Sequence, residues 1–228
     1  TGVVMSAARR RELLNWASEA PGRYIIEDDY DSEFRMRGRP VSTLFSIDAA
    51  GKVLYLNSFA KSLGDAFRIA YLVLPKPLAE RFNVELGFSS NTVSPLDQLA
   101  LARFLEEGHY ERHVNRLRTH ARRSQDVFVE TLRKGPLADR PHFEGLGGGL
   151  HFVMALEDER SERELTNLAV QARVGLSPMK LFVIGASAAD LPKPLVSGEA
   201  LPRFVLRYDG SDESAAEDAA RALESAWS

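Results

Sequence analysis

Apolar positions along the chain switch between a helical and an alternating period, and each switch marks an element. Residues 6–19, SAARRRELLNWASE, open on a serine suited to cap a helix and set Leu13, Leu14 and Trp16 on one stripe, which Pro21 and Gly22 end. RYII at 23–26 is short, β-branched and aromatic, so a buried strand is expected, running into the acidic cluster EDDYDSEF. GKVLYLNSF at 51–59 predicts a second strand after a turn at Ala50–Gly51. RIAYLVLP at 68–75 predicts a third, stopped by Pro75, and KPLAERFNVEL a short helix. A long helical pattern covers about 94–133 with a break near Gly108. A turn and strand follow at 147–156, then a helix at 163–175 with a glycine stop, a strand at 203–209 and an amphipathic helix at 212–227. Strands and helices alternate, so the expected class is α/β, or α/β followed by α+β, with a boundary inside the 94–133 region.

Composition narrows this picture. The 228 residues are 44% apolar and 27% charged, ordinary for a globular chain with a sizeable core. There is no cysteine, which excludes disulfides, thiolate metal sites and a cysteine nucleophile. No apolar run reaches membrane-spanning length, so no membrane partner is expected. A net charge of −3 gives no electrostatic reason for this segment to bind nucleic acid. The chain opens on Thr with no signal-peptide pattern and enters a helix almost at once, which reads as a fragment or a processed chain.

Two stretches carry candidate chemistry. The acidic cluster lacks calcium-loop spacing, but it follows a strand, and ligands of open α/β sheets sit at the carboxyl ends of strands. Asp28 and Tyr30 are two apart and share a face if the strand geometry continues. In NSFAKSLGDAFR, Lys61 lies three residues after Ser58 and seven before Arg68. A lysine at a strand end can form a Schiff base, and a serine with an arginine can hold a phosphate. With a carboxylate and a phenol, these are the groups of a pyridoxal phosphate site. The competing reading is a surface lysine and an Arg68–Asp65 ion pair. His109 and His113 have metal-capable i, i+4 spacing but no evident third ligand, and are read as structural. The five arginines of RHVNRLRTHARR read as a solvated helix face, and GLGGGL as a turn.

Three stretches resemble the aminotransferase-like domain of MocR/GabR-type bacterial transcription regulators, a branch of the GntR group. They are TGVVMSAARRRELLNWA with YIIEDDYDSEFR, then VLYLNSFAKSLGDAFRIAYLVLP, then QLALARFLEEGHYERHVNRLRTHARRSQD. The resemblance implies a fold-type I, pyridoxal phosphate-dependent transferase-like chain. Residues 1–115 would be the carboxy-terminal portion of the large domain, and 116–228 the small α+β carboxy-terminal domain. It further implies Lys61 as the aldimine lysine, Asp28 as partner of the pyridine nitrogen, Tyr30 as donor to the ring hydroxyl, and Ser58 and Arg68 as phosphate ligands. For a ligand carboxylate it offers Lys180, after VGLSPM, or Arg203 and Arg207 on the last strand. The implied function is to sense an amino acid or amine by aldimine exchange, in a cytoplasmic homodimer. DNA would be read by a winged helix-turn-helix outside this chain, which is taken as amino-terminally truncated. A free-standing aminotransferase and a cofactor-free dimerisation remnant are the alternatives, and turnover is left open. The usual motif reads GTFSKSLAPxLRIGY, so Asn57, Ser58, Ala60, Asp65 and Ala70 depart from it.

Overall fold

In the computed structural model of the chain, residues 5–29, 31–36, 42–64, 67–182, 201–207 and 212–228 are described. They fall into two compact units, one drawn from 5–33 and 39–116, the other from 34–38 and 117–228.

In the first unit, helix α1 (Ala7–Ser18) starts where the Ser6 side chain accepts the Arg9 N–H, an ordinary N-cap. Its buried side is set by Arg10 and Ala17, with Leu13 and Leu14 half-buried, whereas Trp16 is 46% exposed and lies under the Arg23 guanidinium. The buried arginine is tolerated because it donates to the Met5 and Ser42 carbonyls and pairs with Glu27. Strand β1 (Ile25–Asp28) runs parallel to β2 (Val53–Ser58), which pairs antiparallel with β3 (Ala70–Val73). Ile26, expected inside a buried strand, is 70% exposed: it lies on β1, an edge strand of this three-stranded sheet, on the same face as exposed Asp28. The turn into β2 is tied by Asp48, whose carboxylate accepts the N–H groups of Ala50, Lys52 and Val53, while Gly51 takes a φ of 64°. Two one-turn helices, α2 (Leu44–Ile47) and α3 (Ala60–Leu63), flank β2. They are followed after β3 by α4 (Lys76–Leu86) and α5 (Pro95–Glu106). The expected break falls at Gly108, with φ 69°, and α6 (His109–Lys134) begins directly after it.

The second unit holds the main core. Strands β4 (Pro141–Glu144), β5 (His151–Leu156), β6 (Ser177–Pro178) and β7 (Arg203–Arg207) form an antiparallel sheet in the order β4-β5-β7-β6. Alternation decides its two faces. Phe152, Met154, Leu156, Phe204 and Leu206 join one large cluster, while Val153 and Val205 meet Met179 in another. Helices α7 (Glu162–Gln171) and α8 (Glu213–Trp227) supply Leu165, Ala169, Leu223 and Trp227 to the large cluster. Trp227 stacks on Phe204 and donates its indole N–H to the Leu165 carbonyl at 3.1 Å, which satisfies the one polar atom of a fully buried ring. Helix α7 stops at Ala172 and Arg173, the latter at φ 62°, two residues before the glycine expected to end it. Arg140 and Arg160 both donate to the Trp227 carbonyl at the end of α8. Asp158 lies between those arginines, and the Arg160 guanidinium, followed by Arg140, holds its carboxyl below the ordinary carboxylate range.

Candidate functional site

The carboxylates of the acidic cluster at the end of β1 have different partners. Glu27 accepts the Leu44 and Phe45 N–H groups at 2.7 and 2.9 Å, so it caps α2 while pairing with Arg10. Asp29 accepts the Tyr55 hydroxyl at 2.8 Å. Asp28 is exposed, and its register opposite Leu56 puts it on the face that carries Ser58, two residues farther along β2. Lys61 follows at once on α3, exposed, with exposed Arg68 just before β3. Asp28, Ser58, Lys61 and Arg68 therefore all belong to the first unit, and three of them gather at the carboxyl ends of two adjacent parallel strands. Tyr30 and Asp65 lie outside the described residues.

The Lys61 turn is held from several sides. Ser58 Oγ accepts the Ala60 N–H at 3.1 Å, and the Phe59 N–H reaches the Ile69 carbonyl at 3.0 Å. From α6, His113 Nε2 meets the Ser62 carbonyl at 2.7 Å, the Tyr110 hydroxyl meets Ser62 Oγ at 3.0 Å, and the Tyr110 ring packs edge-on against Phe59. His109 is engaged by Glu107 and Arg112. Among the described residues no group of three His, Asp or Glu is placed to hold a metal ion. An apolar groove of about 550 Å³ opens beside Phe59 and β3, and neither Lys61 nor Arg68 lines it. The roles of Tyr110 and His113 were not readable from spacing, because their partner Ser62 lies some fifty residues earlier.

The cations considered for a ligand carboxylate belong to the second unit. Lys180 is exposed in the short 3-10 turn Met179–Phe182, and Arg207 is exposed at the end of β7. Arg203 is buried, with its guanidinium on Glu144 at 2.6 Å.

Comparison with known proteins then places the chain. It is 38% identical over 178 residues to the HTH-type transcriptional regulator YhdI of Bacillus subtilis, an alignment covering 78% of this chain and 38% of that protein. To YdeL of the same organism, another HTH-type transcriptional regulator, it is 32% identical over 226 residues, 99% of this chain and 46% of the relative. To the probable rhizopine catabolism regulatory protein MocR of Rhizobium meliloti it is 38% identical over 162 residues, 69% and 32% of the two chains. The chain is a homologue of the MocR-type transcription regulators. It spans less than half the length of these relatives. No family model matches the chain. Its fold is the fold-type I aminotransferase fold. The kynurenine aminotransferase of Pyrococcus horikoshii superposes with a TM-score of 0.78 at 22% identity, over 99% of this chain and 52% of that one. The multiple substrate aminotransferase of Thermococcus profundus gives 0.76 at 22% identity, over 100% and 53%. Sequence thus relates the chain to MocR-type regulators, and structure relates its fold to aminotransferases.

Proposed function

We propose that this chain is the pyridoxal phosphate-binding, aminotransferase-like part of a MocR-type transcription regulator, and that it senses an amino acid or amine. One observation carries the reading. In a homologue of such regulators, Asp28 and Ser58 share a sheet face at the ends of adjacent strands, and Lys61 stands on the turn that follows. The donor set suits the group: a primary amine, a hydroxyl and a guanidinium for a phosphate, and a carboxylate for a protonated ring nitrogen. When bound, pyridoxal phosphate supplies an aldehyde that condenses reversibly with amines and a ring that accepts electrons. Lys61 Nζ is the proposed amine of this chain. Ser58 Oγ and Arg68 are the proposed phosphate ligands, Arg68 offering a planar fork of donors. Asp28 is the proposed partner of the ring nitrogen, and Tyr30 the proposed donor to the ring oxygen. An amine ligand is not tethered to α3 as Lys61 is, so it can bias the chain toward whichever arrangement binds it better.

For a ligand carboxylate, Lys180 and Arg207 are the candidates exposed to solvent, while Arg203 is buried on Glu144. Residues 1–115 are read as the carboxy-terminal portion of the large cofactor domain and 116–228 as the small domain. DNA contact is assigned to a helix-turn-helix outside these 228 residues, in keeping with the names of relatives more than twice as long. The same reading takes the protein to be cytoplasmic and homodimeric. The exposed apolar side chains of Phe82, Val84, Leu96 and Leu99 on α4 and α5 are consistent with a covered face, and the mass in solution tests the dimer.

The deciding experiment is incubation with pyridoxal phosphate, borohydride reduction and peptide mass mapping, beside Lys61→Ala. A pyridoxyl mass fixed on the peptide containing Lys61, and lost in the variant, is expected. Labelling spread over surface lysines, equal in both proteins, would overturn the reading. Amine-donor turnover with a keto acid would move it to the free-standing aminotransferase.

A further inference from the structure

Behind the Lys61 turn, on the opposite face of β2 from Ser58 Oγ, lies a part-buried polar chain that none of the roles above uses. The Tyr55 hydroxyl donates to Asp29 Oδ2 at 2.8 Å. Asn57 Nδ2 donates to the Tyr55 oxygen at 3.1 Å, and Asn57 Oδ1 accepts the Ser58 N–H at 2.5 Å. From there Ser58 Oγ accepts the Ala60 N–H, one residue before Lys61. Asn57 is only 9% exposed, so its amide needs these partners. Tyr55 sits against the rings of Phe45 and Tyr71, and burial, offset in part by the Asn57 hydrogen bond and reinforced by Asp29, pushes its hydroxyl well above the ordinary tyrosine range. It therefore stays a proton donor at any physiological pH. Asp29 is fixed in turn by its own backbone, whose N–H reaches the Leu56 carbonyl at 2.9 Å. The chain of contacts thus ties the end of β1 to the backbone from which Lys61 projects.

We propose that Asn57, oriented by Asp29 through Tyr55, is a positioning residue that fixes the Ser58–Lys61 backbone from behind the sheet. Its meaning for ligand binding rests on the reading of Lys61 given above. Its effect on the backbone does not. The asparagine that replaces the usual glycine of the motif therefore acts as a relay, its side chain taking its orientation from the Tyr55 hydroxyl and passing it to the Ser58 amide. Loosening that amide would spread the positions of Ser58 Oγ and Lys61 Nζ without removing either group. Tyr110 and His113 hold the far side of the same turn, so the brace from Asn57 acts on its start.

The test uses the 228-residue chain, with Asn57→Gly and Tyr55→Phe beside the parent, the second variant keeping the ring and removing only the hydroxyl. Hydrogen exchange without cofactor is followed in peptides spanning 57–63 and 53–56. A lost hydrogen bond predicts exchange faster by about five-fold in 57–63, with 53–56 unchanged. The pyridoxal phosphate concentration for half-maximal borohydride-fixed labelling of Lys61 should rise by a similar factor. The two substitutions combined should cost little more than one, since they break the same chain. Unchanged exchange in 57–63 in both variants overturns the proposal. So does acceleration spread evenly over 25–73, which would make Asn57 a general stabiliser of the sheet. A parent chain that never labels at Lys61 removes the cofactor reading, while the exchange comparison still decides the brace.

Discussion

Glu224 shows how much one side chain can depend on its surroundings. It is 8% exposed on α8, one of its carboxylate oxygens has no hydrogen-bond partner, and a Cβ on Gly135 would collide with it. Burial raises its pKa above the ordinary glutamate value, only partly offset by Arg221. The folded state therefore holds this proton more tightly than the unfolded chain does. The stabilisation from that proton is complete below the unfolded pKa and is lost as pH rises through the folded one. At neutral pH the charged carboxylate is a liability, so Glu224→Gln should stabilise the protein, on the order of 1 kcal/mol. Urea unfolding midpoints at pH 4 and pH 7 check this: the gain should appear at pH 7 and shrink at pH 4. The same scale explains the acidic cluster. Its acids look alike in sequence, yet Glu27 caps a helix, Asp29 takes a tyrosine hydroxyl and Asp28 alone of those three stands exposed on the Ser58 face. Residue type announced a cluster, and only the register of β1 against β2 separated its members.

At the scale of elements, local signals were reliable where they were chemical. Helix α7 begins with a full capping box: Ser161 accepts the Glu164 N–H, and Glu164 accepts the Ser161 N–H in return. Ser161→Ala should cost about 1 kcal/mol, read as a lowered unfolding midpoint with an unchanged denaturant slope. The α5–α6 break at Gly108 and the strands β2, β3, β5 and β7 were visible in the sequence, because a turn residue or an apolar run marked each, whereas the Ser161 cap was not read there. What escaped was set by partners distant in the chain. Strand β4 is only four residues opening on Pro141, and β6 only two, and each exists because β5 or β7 offers it a ladder. Trp16 follows the apolar period of its helix and is still 46% exposed beneath Arg23, while Arg10 and Ala17 are the buried residues of that helix. In the candidate site, Ser58, Lys61 and Arg68 were legible from a single stretch. The brace of Asn57, Tyr55 and Asp29 was not, since it joins two strands through the pairing of β1 with β2.

At the scale of the whole molecule, the two units are unequal. The large core cluster belongs to the second, whereas exposed apolar side chains such as Ile26, Phe82, Val84, Phe88 and Leu96 lie in the first. The border between units in sequence is also not the border in packing. Phe34, only 2% exposed, belongs to the core of the second unit. The strand-like contacts of its neighbours, Arg35 with Gly148 and the Met36 N–H with the Gly147 carbonyl, bring it there from the end of the acidic stretch. A piece cut at residue 117 would keep every strand of that core and lose this ring, a deficit of about 3–5 kcal/mol if the space stays empty. Such a piece should therefore melt early on its own and recover when a short peptide of residues 31–36 is added, but not when Phe34 in that peptide is alanine, as circular dichroism melts would record. The short stretch around Phe34 is in this sense a detachable plug for the core of the second unit, and fragment complementation is the natural way to measure how tightly that plug is seated.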